Sequence, residues 1–142
     1  MPLTIKKARA LRYRHRKHPG IKDEQYQEVV NVALADAYAL WVYLASHGDI
    51  IRKFDVPWNL FAVVQKDMNF CPLCSVYRVN ALHCDPACPL TYDGTTDCAS
   101  VSSLVMQRYN TQMLDTPSAN ARRATIAQAI ANRIKEAIDG RS

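Results

Sequence analysis

All five cysteines of this chain fall between Cys71 and Cys98, in the spacing C-x2-C-x9-C-x3-C-x9-C. Cys71-Pro72-Leu73-Cys74 forms one close pair, and Cys84, directly after His83, forms a second with Cys88. Two close thiol pairs separated by a short loop match the demand of a tetrahedral metal, because each turn supplies two ligands and the loop carries the second pair across. An odd cysteine count with no export signal argues against a disulfide framework and for thiolates in a reducing cytoplasm. The expectation is a structural zinc on Cys71, Cys74, Cys84 and Cys88, with Cys98 or His83 as a substitute ligand. An iron–sulfur cluster is the alternative occupant, although the spacing does not follow the common ferredoxin runs.

At 142 residues the chain is long enough to bury roughly two-thirds of its unfolded surface as one domain, so the metal is expected to clamp a loop and not to replace a core. Hydrophobic residues make up 49% and charged residues 22%, which excludes a disordered chain. No apolar run approaches the ~20 residues that span a bilayer, so no membrane contact is expected and the location is cytoplasmic.

The net charge of +5 is unevenly placed. Residues 1–20 carry Lys6, Lys7, Arg9, Arg12, Arg14, Arg16 and Lys17 with no acid, whereas residues 21–100 hold ten acids against five bases. This division defines a basic N-terminal arm, 1–20, ahead of a single helical zinc-binding domain, 21–142. Cations interleaved with Tyr13, His15 and His18 are the chemistry of a nucleic-acid contact, each neutralised phosphate adding about 0.9 to the salt slope of binding. An acidic host protein is the other partner such an arm fits.

Beyond the arm the periodicity is helical. Tyr26, Val30, Ala33, Ala37, Trp41 and Leu44 place apolar groups on one face of a helix from about Asp23 to His47, with Gly48 as its stop. The segment Ala37–Ala45 is apolar nearly all round, which points to central burial or to a homodimer through this first helix. A second helix is expected from about Val56 to Met68 and a third, weakened by serines, from Ala99 to Leu114. Thr116-Pro117 opens the last helix, with Ile126, Ile130, Ile134 and Ala137 as its stripe and Gly140 as its end. Arg122 and Arg133 fall at one edge of that stripe and join the arm as nucleic-acid candidates. The expected fold is thus mainly α: about four helices, an inserted Cys-ligated zinc knuckle and a basic N-terminal arm.

Motifs for catalysis are sparse. There is no His-Glu-x-x-His, no phosphate loop and no dinucleotide fingerprint, and the deaminase signature is not met because Cys71 follows Phe70. No residue is assigned a catalytic role. A metal- or thiol-dependent enzyme is the least supported of three functions, behind a nucleic-acid-binding protein and an effector that inhibits a host protein.

The string Cys71-Pro72-Leu73-Cys74, then Cys88-Pro89-Leu90, then Cys98 ahead of a helix containing serine and tyrosine, resembles small uncharacterised bacteriophage proteins with a CPLC…CPL…C cluster. The likeness covers about residues 70–110, with C-x3-C at Cys84–Cys88 where C-x2-C is commoner. It implies a phage or mobile-element origin, and brings no established activity with it.

Overall fold

The computed structural model describes Thr4, Lys7, residues 23–50, Val56, Pro89, Gln107, Arg108 and residues 116–140. Two long helices dominate them: α1, Asp23–Ser46, and α2, Pro117–Asp139. At 24 and 23 residues they extend about 36 and 34 Å, from a rise of about 1.5 Å per residue.

α1 forms because good helix formers, five alanines and three leucines among them, run through it with no glycine or proline from Asp23 to Ser46. Its end is a turn in which the Ile50 N–H donates to the His47 carbonyl at 3.0 Å. The start of α2 is set by its cap, Thr116, and its first residue, Pro117. Thr116 sits in extended backbone, and its hydroxyl accepts from the Ala119 N–H at 3.1 Å, while Pro117 occupies a position whose N–H has no helical partner. Gly140 ends the helix, its N–H donating to the Glu136 carbonyl at 3.0 Å.

The helices run antiparallel, since Gly48 after α1 meets Asn120 and Ala124 near the start of α2 while Tyr38 acts on Lys135 near its end. One apolar cluster joins them. Val30, Ala33, Ala37, Trp41 and Leu44 are buried as the periodicity predicts, and so are Ile126, Ile130 and Ile134. The face is wider than expected: Val29, Leu34 and Leu40 are also buried, as are Ala127 and Ala131. Facing alanines let the backbones approach, and the large residues fill what remains, each contributing roughly 1.5–3 kcal/mol when fully covered. Tyr38 and Tyr43 are only half-buried at the edge of this cluster, unlike Trp41.

The expected four-helix architecture with an inserted zinc knuckle is corrected by this arrangement: the described residues hold two helices, and those two supply almost all of the described core. Val56, the expected start of the second helix, lies in a bend with its side chain buried in the same cluster. A physical cause is at hand in the following Pro57, whose ring disfavours helical backbone at the residue before it. The rest of that segment, 57–68, lies outside the described residues. Of the expected third helix only Gln107 and Arg108 are described, and both have helical backbone.

A further correction concerns hydropathy. Gln27–Ser46, 20 residues with mean hydropathy 1.4, is long and apolar enough by length and composition to cross a membrane. The search for an unbroken apolar run misses it because Glu28, Asn31 and Asp36 interrupt a stretch whose average stays high. In the structure its apolar stripe is covered by α2.

Candidate nucleic-acid interface and the buried arginines

The turn that follows α1, at Gly48 and Ile50, is held by two buried arginines from distant parts of the chain. Arg123 of α2 is fully buried, and its Nε donates to the Gly48 carbonyl at 2.8 Å. Its guanidinium also donates to Asn120 Oδ1, one turn earlier on the same helix. Arg108 is 4% exposed and donates through Nη2 to the Ile50 carbonyl at 2.8 Å. Its Cζ lies 5.8 Å from the centroid of the Trp41 ring, a cation–π distance. Burial lowers the Arg108 pKa to about 10, and the nearby positive charge of Arg123 adds to the shift. The indole N–H of Trp41 is buried and has no acceptor among the described residues.

Space at this junction is tight. A Cβ on Gly48 would overlap the Asn120 carbonyl oxygen and lie 3.2 Å from Ala124 Cβ. Gly48 does not take a left-handed φ, so its smallness matters here and not its conformational freedom. Beside it His47 Nδ1 donates to the Tyr43 carbonyl at 2.9 Å, and its ring stacks on Tyr43 with centroids 4.0 Å apart.

Of the expected nucleic-acid residues, Lys7 is exposed with helical backbone, its N–H donating to Thr4 Oγ1 at 3.2 Å. Lys6, Arg9, Arg12, Arg14, Arg16 and Lys17 lie outside the described residues. On α2, Arg122 is exposed and Arg133 half-buried. They are eleven residues apart, about 16 Å along the axis and about 20° around it. Lys135 points elsewhere and pairs with Asp139 at 2.9 Å; that hydrogen bond and charge raise the Lys135 pKa. Such an exposed pair adds little stability.

The expected metal ligands Cys71, Cys74, Cys84 and Cys88, and the substitutes Cys98 and His83, all lie outside the described residues. Among the described residues no group of three or more His, Cys, Asp or Glu side chains gathers.

Arg108 and Arg123 are the two buried cations that the sequence reading passes over. The signal exists: Arg123 precedes Ile126 by three positions and Ile130 by seven, which continues the apolar stripe. Arg108 follows Leu104 by four in the same way. A charged residue in the register of a buried stripe marks a buried polar contact.

No family model matches the chain, and no curated protein or solved structure matches it either.

Proposed function

We propose that this chain is a non-enzymatic, zinc-stabilised binding protein that contacts nucleic acid through its basic arm and the exposed arginine edge of α2. The observation that carries the reading is charge placement. Residues 1–20 hold seven cations and no acid, and α2 from Pro117 to Ile134 holds three arginines and no acid, of which Arg122 is exposed. Acid-free basic surfaces of this kind draw a polyanion and release its counterions.

Zinc belongs to the proposal through the chemistry of its donors. Cys71, Cys74, Cys84 and Cys88, backed by Cys98 and His83, supply the soft ligands that zinc prefers, and bound there it would close a loop and leave no position for substrate. A cytoplasmic location suits free thiolates.

The test is fluorescence anisotropy with labelled duplex DNA, single-stranded DNA and RNA. Binding at 50 mM salt that weakens steeply with added salt, and that falls when residues 1–20 are deleted, supports the proposal. Undetectable binding at 50 mM salt, or binding indifferent to the deletion, overturns it.

A second reading, an effector of phage type that binds a host protein, draws on Val32, Tyr38, Val42 and Tyr43, which stay half-buried along α1. Co-purification of one stoichiometric host protein with no nucleic acid favours it.

A further inference from the structure

We infer that the outward face of α2 reads base edges in the major groove of duplex DNA, while the basic arm supplies backbone contacts. This rests on the nucleic-acid reading above and deepens it.

The face is unusual for a solvated helix. Ser118, Arg122, Thr125, Gln128 and Asn132 are all exposed, with Arg133 half-buried at the edge, and the stretch of about four turns that they occupy contains no Asp or Glu. Ordinary exposed helix surfaces carry alternating acids and lysines; here the first acid, Glu136, comes only after Asn132 and Arg133. What replaces them is the set of groups that discriminates bases: arginine for the O6/N7 edge of guanine, Asn and Gln for the N6/N7 edge of adenine, and Ser or Thr for either. Gln128 Nε2 donates to Asn132 Oδ1 at 2.9 Å. The linked amides retain an acceptor at Gln128 Oε1 and donors at Asn132 Nδ2 and the second Gln128 Nε2 hydrogen, the two kinds of function that the adenine edge demands.

Charge and shape agree. From Ser118 to Arg133 the face carries no acid, which suits a polyanion, and a helix about 10–12 Å across fits a groove about 12 Å wide. The opposite side of α2 is anchored by Ile126, Ile130 and Ile134 on α1 and by Arg123 on Gly48. The reading face is therefore carried on a fixed element, and the start of the helix, where major-groove helices make their base contacts, carries Ser118, Arg122 and Thr125.

The experiment is selection of the full-length chain, zinc included, against a random duplex library, followed by anisotropy on the enriched and a scrambled duplex. Enrichment of a short motif is expected. The Q128A/N132A variant should lose about tenfold or more in affinity for that motif while its affinity for the scrambled duplex and its salt slope stay unchanged. Alanine at exposed helical positions keeps the fold, which circular dichroism checks. Three outcomes overturn the inference: salt-dependent binding with no enriched motif, which leaves the arm's backbone contact standing; an enriched motif unaffected by Q128A/N132A; and tight binding to single-stranded RNA alone. Absence of binding to any nucleic acid sinks this inference and the broader reading together.

Discussion

Arg123 Nε donates to the carbonyl oxygen of Gly48 at 2.8 Å, tying the first turns of α2 to the end of α1 across 75 positions of sequence. This contact satisfies a carbonyl in the turn that follows α1, and it does so from a fully buried guanidinium. Replacing Arg123 with Met or Lys should cost about 1.5–3 kcal/mol, since the fork that spans Gly48 and Asn120 is lost in both variants. Urea denaturation measures it, and a cost below 0.5 kcal/mol in both would show that the bond contributes little.

Gly48→Ala should destabilise by about 1–3 kcal/mol, because the new methyl meets backbone at Asn120 and not a movable side-chain end. The companion change Ala124→Gly relieves only the contact at Ala124 Cβ and should recover little of the loss. Full rescue by it would relocate the clash.

Ile130 and Ile134 are completely buried between the helices. Ile130→Ala should cost about 2–5 kcal/mol through lost contacts and a cavity, and Ile134→Ala a similar amount. Exposed Thr125→Ala serves as the control, expected within about 0.5 kcal/mol of the parent.

Arg108 carries a pH signature. Its pKa falls to about 10 in the folded chain, first from burial and then from Arg123. A base with a depressed folded pKa loses its proton in the folded state before the unfolded one, so the unfolded state binds more protons between pH 10 and the ordinary arginine value. Stability attributable to Arg108 therefore rises with pH through that window, and below it the folded state bears the full desolvation cost. Comparing parent and Arg108→Met by denaturation from pH 8 to 11 cancels the lysine and tyrosine titrations common to both. The parent should gain on the variant above pH 10; a flat difference contradicts the assignment.

Native mass spectrometry should find a single zinc per chain, lost in a Cys71→Ser/Cys74→Ser variant. Structural zinc contributes on the order of 10 kcal/mol in small peptides, and even part of that should lower Tm by about 10 °C or more here. A metal-free native protein that is fully folded would refute the zinc site.

Local signals in the sequence determined the two helices almost to the residue. Thr116-Pro117 and Gly140 bracket α2, alanine and leucine carry α1, and the 3.6-residue recurrence of Ile126, Ile130 and Ile134 names the face that turns inward. Capping, propensity and periodicity act over a few residues, so they can be read from a few residues. The exposed face of α2 is legible for the same reason, as the complement of its apolar stripe. The tertiary structure decided what distance in sequence conceals: that Gly48 is small because Asn120 crosses it, that Arg123 and Arg108 turn inward to the carbonyls of Gly48 and Ile50, and that Val56 bends into the core where a helix was expected to begin. A buried guanidinium is stable only where burial of its stem and its hydrogen bonds outweigh its desolvation, and that balance exists only once the two helices have met.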